Sequence, residues 1–475
     1  MTHFALQSTQ VVIDGKMIAA CIEVKDEVTI AIHSHGQTLS CEVKDFGEQV
    51  IMPGLVDSHV HINEPGRTDW EGFETATKAA AAGGITTLVD MPLNCIPVTT
   101  TVDALNYKIA ATKNQLWVDC GFYGGLIPDN LQDIESLADA GVLGFKAFLS
   151  HSGIDEFPNI NEKYLREALP IFANKGIPLL VHAELENGAT HSEDHSTYKS
   201  FQDSRPKSWE NNAVKLLVQL NKEFDARIHI VHLSSADILA EIAQTRNDGY
   251  PISVETCPHY LHFSSEHISD GDTRFKCAPP IWESDNKEKL WSGLENGLIN
   301  FITSDHSPCT AELKNLEVGD FKKAWGGISS IQFTLPVIWT ECKARGFSID
   351  QLIHWMSTAP AKFIGKNQHK GQISPGFDAD LVCWNPDQKY MIQKEAIHHK
   401  NKLTPYEGES LYGVVNVTFL RGKKVYENGE FLGNPTGEII LNNADNWFHT
   451  TPSLDEIEYN WNDSIRIYKK SNQII

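Results

Sequence analysis

Two histidines one residue apart, His59 and His61, sit in the short apolar run Gly54-Leu-Val-Asp-Ser-His-Val-His-Ile-Asn-Glu-Pro-Gly66. Side chains alternate along a strand, so a strand from Leu55 to His61 sends Asp57, His59 and His61 to one side. Two imidazoles then converge on a point. That suits a divalent metal ion, because neutral imidazole is a good ligand for zinc, iron and related ions. A bare His-x-His pair at a strand end also occurs without a metal. Four other residues bear on the choice. Lys146 stands in Gly144-Phe-Lys-Ala-Phe-Leu, His182 in Pro178-Leu-Leu-Val-His-Ala-Glu, His232 in His229-Ile-Val-His-Leu-Ser-Ser, and Asp305 after Asn300-Phe-Ile-Thr-Ser. Each interrupts or ends an apolar run, where an unpartnered charge is costly to desolvate.

Taken singly, each has an ordinary role: a lysine that snorkels to a rim, histidines that sit in a core or cap a strand, an aspartate that caps a helix. Taken together they offer a second reading. The Lys146 amine can add carbon dioxide to become a carbamate, whose two oxygens bridge two cations while the histidines and Asp305 fill the other positions. Two divalent ions balanced by carbamate, aspartate and hydroxide leave about one positive charge, enough to polarise a neutral carbonyl. Such ions lower the pKa of bound water from about 15.7 toward about 7. Asp305 then ligates one ion and exchanges a proton with the attacking water. His229, three positions from His232, is expected to face the other side of its strand, and His259 and His306 to play supporting roles.

These residues need a scaffold that gathers strand ends. From Leu55 to about Ile364, β-rich apolar runs alternate with helix-compatible stretches, the pattern of parallel β/α units. Eight candidate strands begin near Leu55, Ile85, Leu116, Val142, Ile177, Arg227, Pro251 and Asn300, the number required by a (β/α)8 TIM-like barrel. Reactive groups in such a barrel collect at the C-terminal strand ends, which is where His59, His61, Lys146, His182, His232 and Asp305 fall. Helices are expected over Gly72–Ala82, stopped by Gly83-Gly84, and over Ala236–Gln244, with a helix-poor insertion from Pro258 to Ser284. Short strands and turns in residues 1–54 and 368–440 read as the two halves of a small β-sandwich domain, with the barrel over 55–367 between them. Residues 441–475, polar and aromatic, are expected to form a surface-packed or partly disordered tail.

Composition narrows the function. Over 475 residues, 62 acidic against 40 basic side chains give a formal charge of −22, which argues against broad binding to nucleic acid or anionic membrane. Nine cysteines, an odd number without any Cys-x-x-Cys pair, indicate neither a disulfide framework nor a thiolate zinc site. No apolar run approaches a bilayer span and the N-terminus lacks a leader pattern. A soluble, cytoplasmic enzyme of a small molecule is expected.

More specific stretches extend this reading: Pro53-Gly-Leu-Val-Asp-Ser-His-Val-His-Ile-Asn-Glu-Pro-Gly-Arg-Thr-Asp-Trp-Glu-Gly-Phe-Glu-Thr, Asp90-Met-Pro-Leu-Asn, Gly144-Phe-Lys, Glu255-Thr-Cys-Pro-His-Tyr, Lys276-Cys-Ala-Pro-Pro-Ile, Ser304-Asp-His-Ser-Pro-Cys and Ala324-Trp-Gly-Gly-Ile. With them the chain resembles the cyclic-amidase branch of the amidohydrolase superfamily, which contains dihydroorotases, hydantoinases, dihydropyrimidinases and allantoinases, and within it the allantoinase family most. The resemblance implies a binuclear site: His59, His61 and Asp305 on one metal, His182 and His232 on the other, carboxylated Lys146 between them. Zinc is the expected metal, and manganese, cobalt or iron would satisfy similar ligands. Dihydroorotases carry arginine shortly after the metal pair to hold a carboxylate; Asn63, beside Ile62, stands there instead. The implied substrate is therefore neutral allantoin, its hydantoin ring opened to allantoate, with Asn63, Asn94 and groups near Ala278 and Gly327 holding ring and ureido tail. Loop-turn hydrogen bonding is the competing role for both asparagines, and Arg67 and Trp70 have a loop-bracing alternative. The resemblance also implies a homotetramer. The rivals are a hydantoinase or dihydropyrimidinase, and a non-catalytic scaffold, which would have lost ligands that this chain keeps.

Overall fold

Alternating polar and apolar residues open the chain as strands β1 (His3–Ile13), β2 (Lys16–Lys25), β3 (Val28–Ser34), β4 (Glu42–Asp45) and β5 (Val50–Pro53). The structure, a computed structural model, describes residues 3–189 and 193–442. Parallel strands interspersed with helices follow: β6 (Leu55–Val60), β7 (Ile85–Asp90), β8 (Asp119–Phe122), β9 (Gly124–Gly125), β10 (Phe145–Phe148), β11 (Leu179–His182), β12 (Ile228–Ile230), β13 (Ile252–Thr256) and β14 (Phe301–Ile302). The chain then returns to antiparallel strands β15 (Leu381–Met391), β16 (Ser410–Leu420), β17 (Lys423–Glu427) and β18 (Glu430–Phe431), and ends its described part in β19 (Ile439–Ile440). The stretch from 443 onward, which holds the expected tail, lies outside the described residues.

Strands from both ends of the chain share one nine-stranded sheet in the order β18-β17-β16-β15-β5-β1-β2-β3, with β4 on β1. The join is β5 against β15, where Pro53 faces Leu381 and Val50 faces Trp384. Its core draws on both ends, packing Leu6, Ile22 and Ile51 with Leu381, Val417 and Phe419. Between the two halves, β6-β7-β8 and β9 through β14 form two parallel sheets. Backbone bonds bridge both seams: Leu143 N–H donates to Phe122 O at 2.8 Å beside β8, and His61 N–H to His306 O at 2.8 Å beyond β6. This is an α/β fold of the TIM-barrel type with a second, β-rich domain.

The helix Glu162–Lys175 shows how the scaffold aims a reactive group. Asn161 caps its start by accepting from the Lys163 and Tyr164 N–H groups, and Gly176, at φ 67°, ends it. Leu165, Ala168, Leu169 and Phe172 form its buried stripe. Phe172 packs on Phe145 of β10, ring centroids 5.2 Å apart. With Phe145 and Ala147 committed to that helix-facing core, alternation turns Lys146 and Phe148 to the opposite side. In β11, Leu179 and Val181 face the helices while Leu180 and His182 face inward.

Two local features differ from the sequence expectation. The helix expected from Ala236 begins with a tight turn over Ala236–Ile238, because Ser235 accepts from the Asp237 N–H, and the α-helix proper is Leu239–Asn247. The insertion expected to be helix-poor holds a short helix, Pro258–His262, with proline at its permissive first position. All nine cysteines are free. Among the described residues no helix is long and apolar enough to cross a membrane.

A buried ionic cluster ties the two domains together. Lys370 Nζ lies 2.6 Å from Asp119 of β8, 2.8 Å from Asp378 and 2.7 Å from Asp380, and Arg421 also binds Asp119. Burial alone would lower the Lys370 ammonium pKa, but the three carboxylates outweigh it and raise it. Replacing Lys370 by alanine leaves those acids facing one another without their shared cation. The variant is expected to lose about 3–5 kcal/mol of stability, measured by urea denaturation.

Candidate active site and metal centre

The six proposed ligands come from five strand ends. His59 is in β6 and His61 just beyond it, Lys146 is in β10, His182 ends β11, His232 lies two residues past β12 and Asp305 three past β14. They line one cavity of about 490 Å³. His232 and Asp305 take left-handed backbone angles, φ 40° and 42°, a conformation costing about 1–3 kcal/mol for a residue with a side chain. Strain of this kind is held in place by surrounding contacts and collects at functional sites.

His59 Nε2 and His61 Nε2 lie 3.3 and 3.5 Å from the same Asp305 oxygen. Behind the first ring, His59 Nδ1 meets Glu255 Oε1 at 2.5 Å. Burial opposes ionisation of Glu255, but His59 and His229 outweigh it and hold its pKa down to about 2. An ionised Glu255 can only accept, so His59 donates to it from Nδ1, and Nε2 is the nitrogen turned to Asp305. Burial would likewise raise the Asp305 carboxyl, yet His59, His61 and His232 hold it well below the usual range. A ring nitrogen of His59, one of His61 and a carboxylate oxygen of Asp305 thus meet at one point, an arrangement that would suit a cation between them. His59 Nε2 has no hydrogen-bond partner.

A second pair repeats the logic. Burial opposes the ionised form of Glu184, but Arg205 and His182 lower its pKa to about 2. It takes the proton of His182 Nε2 at 2.6 Å, and the opposite nitrogen, Nδ1, faces His232 Nε2 at 3.0 Å. Burial depresses the pKa of both rings and brings that of His61 to about 4, so the imidazoles stay neutral and able to ligate. Lys146 is fully buried, its amine has no hydrogen-bond partner, and Nζ lies over the Phe148 ring, 5.0 Å from its centroid. Burial lowers its pKa to about 8, partly opposed by Asp305 and Glu255. The donor set of neutral nitrogens, carboxylate and unpartnered amine fits divalent metal ions.

A model of the amidohydrolase family matches residues 50–425. The chain is 45% identical to the allantoinase of Streptomyces avermitilis over 442 residues, spanning 92% of this chain and 98% of that protein. The chain belongs to the amidohydrolase family. It is also 45% identical to the allantoinase of Saccharomyces cerevisiae over 399 residues, covering 82% of this chain and 86% of that one. Among solved structures, the L-hydantoinase (dihydropyrimidinase) of Arthrobacter aurescens superposes with a TM-score of 0.86 at 30% identity, covering 93% of this chain and all of its own.

The remaining expected site residues of this amidohydrolase fall into two groups. Asn94, Ala278 and Gly327 line the cavity. Gly327 is there because a Cβ would come within 2.4 Å of Ser307 O. The Asn94 side-chain amide lies 3.4 Å from His61 Nδ1, so it braces a ring of the site. Asn63 does not line the cavity; its amide donates to Pro308 O at 3.3 Å. Arg67 braces the neighbouring loop, donating to Asn94 O at 3.1 Å and pairing with Glu156 at 2.8 Å. His306 bonds Glu71 at 3.3 Å and accepts from the Ser330 N–H at 3.1 Å, a supporting role. His229 does not turn away as expected. It points to Glu255, 3.0 Å from Oε2, its ring stacked on Phe301 and packed against Phe363, centroids 5.2 and 4.3 Å away.

Sequence reasoning assigned no role to Glu255 or Glu184. Their signal was present: an acid at a strand end and an acid two residues past a strand-end histidine. Glu255→Gln can donate toward His59 Nδ1 and so disturb the ring's tautomer. That variant is expected to bind metal about 10–100-fold more weakly, measured by competition with a chelator; unaltered metal affinity would contradict the assignment.

Proposed function

We propose that the protein hydrolyses a ring amide of allantoin to give allantoate, the reaction of an allantoinase. The reading is carried by ligand-type side chains gathered in one cavity, His59 and His61 nitrogens facing one Asp305 oxygen and His182 facing His232, in a chain whose near full-length relatives are named allantoinases. We assign catalysis to residues 55–367 as a closed (β/α)8 barrel, and a bracing β-sandwich role to 1–54 and 368–440.

Two divalent ions, proposed as zinc, are assigned to His59, His61 and Asp305 and to His182 and His232, with carboxylated Lys146 between them; when bound they polarise the ring carbonyl and acidify water. Lys146 is suited to carboxylation: an amine with pKa lowered to about 8 has a substantial neutral fraction near neutral pH, its nitrogen adds to the carbon of carbon dioxide, and a proton leaves to solvent. Asp305 takes the proton of the attacking water and delivers it to the departing ring nitrogen. Glu255 and Glu184 hold the histidines in the tautomers this requires. Asn94 and the chain near Ala278 and Gly327 are assigned to the ring and ureido tail, and Asn63 acts through the Pro308 carbonyl that it holds. The place after the metal pair offers no arginine for a carboxylate-bearing ring, which favours a neutral substrate. We further propose a homotetramer in the cytoplasm, in keeping with the family resemblance and nine free thiols.

The second reading, a hydantoinase or dihydropyrimidinase, is favoured by the structural likeness to the Arthrobacter aurescens enzyme. Metal-replete protein should turn over allantoin in strong preference to hydantoin, dihydrouracil and dihydroorotate, with allantoate followed directly; preference for another ring would overturn the substrate assignment. Asp305→Asn should lose about 100-fold or more in kcat while keeping much of its metal.

A further inference from the structure

Away from the barrel, one face of β1–β3 carries another set of ligand-type side chains. In the antiparallel pairing, Glu23 of β2 stands opposite Ala5 of β1 and Ala31 of β3. Two methyl groups flank its carboxylate and leave room for longer side chains from neighbouring positions on the same face. His3 fills one side, with Nε2 2.6 Å from Glu23 Oε1, and His33 the other, with Nε2 2.7 Å from Oε2. Cys41, in the connection before β4, completes the group: one ligand atom each from His3, Glu23 and Cys41 lies within 4.8 Å of the others. Glu23 and His3 remain partly open to solvent, at 15% and 34%, so an ion can enter without the sheet opening.

Ion pairing accounts for two histidines on one carboxylate. It does not account for a thiol at the same point. Nitrogen, sulfur and oxygen donors converging on a partly open spot match a zinc-type coordination set with water in the fourth position. His33, on the carboxylate oxygen away from His3, is the outer partner that orients a ligating carboxylate. The ligands come from separate strands and a connection, which is why no Cys or His spacing marks them in the sequence.

We propose that His3, Glu23 and Cys41 form a peripheral site for a borderline divalent metal ion such as zinc, separate from the barrel centre. On binding, the Cys41 thiol gives its proton to solvent and the thiolate forms the metal–sulfur bond, while His3 turns a nitrogen lone pair from Glu23 to the ion.

Sulfur makes the site distinguishable, because none of the ligands assigned in the barrel is a thiolate. Metal-free full-length protein is reloaded with cobalt(II) and its near-ultraviolet thiolate-to-cobalt absorption recorded. In parallel, tightly held zinc is counted by mass spectrometry after gel filtration. Cys257 lies close to Asp305, so the absorption is assigned with Cys41→Ser and His3→Ala rather than from the parent protein alone. The expected result is one more equivalent of zinc in the parent than in either variant, loss of the absorption in Cys41→Ser, and unchanged turnover in both. Both changes are at partly exposed positions, and circular dichroism checks that each variant is folded. His33→Ala should weaken zinc binding about 10–100-fold without abolishing it. Equal zinc content in parent and variants, or absorption that survives Cys41→Ser, overturns the site; loss in only one of the two variants overturns the three-ligand set.

Discussion

The His59 ring, held between two buried carboxylates with Nδ1 2.5 Å from Glu255 and Nε2 3.3 Å from Asp305, is the constraint on which the barrel's inner end depends. Glu255 fixes the orientation of the ring by accepting at Nδ1, and Glu255 is itself held by His229. The ring stack of His229 with Phe301 and Phe363 extends the constraint into the apolar interior of the barrel. A tautomer at the cavity therefore rests on packing two residues deeper.

The same device is used on the other side, where Arg205 backs Glu184 and Glu184 backs His182. Glu255 and Glu184 stand behind the rings, while Asp305 faces them from the cavity side. Burial lowers the pKa of His61, His182 and His232, while Glu255 is held by hydrogen bonds with His59 and His229 and Glu184 by Arg205 and His182. This is how a low-dielectric interior can hold several ionised carboxylates without unpaired buried charge. The left-handed backbone at His232 and Asp305 belongs to the same economy of constraint: the strand ends are bent so that side chains from different strands meet.

Much of this was legible in the sequence. His59, His61, Lys146, His182, His232 and Asp305 stood out because polar groups at the ends of apolar runs break the strand pattern, and the alternation expected over Leu55–His61 gave the direction of the first pair. Glu255 and Glu184 were illegible as partners because their role lies in which nitrogen they protonate, a property of cross-strand distance and not of spacing. Asn63 and Asn94 looked equivalent, both in loops and both with left-handed backbone, yet only Asn94 reaches the cavity. His229 was misjudged because β12 has three residues, and strict alternation does not extend to a residue beyond so short a strand. The nine-stranded sheet was anticipated as two halves of one domain, though its hydrogen-bonded path through β5 and β15 could be seen only in the pairing.

One pairing has no counterpart in the sequence pattern. β19 lies parallel to β8, with Ile439 opposite Cys120, and the Glu438 N–H donates to Asp119, 319 residues earlier in the chain. The edge of β8 next to β10 is thus finished by nearly the last described residues. During synthesis, the first part of the barrel emerges with an open strand edge and a buried acid whose partners, Lys370, Arg421 and Glu438, have not yet been made. Contacts of such long range are formed late. The wall of the parallel sheets at β8 therefore takes its outer backbone partner, and the partners of its buried acid, from residues that follow in the chain after the β-rich domain has begun to re-form.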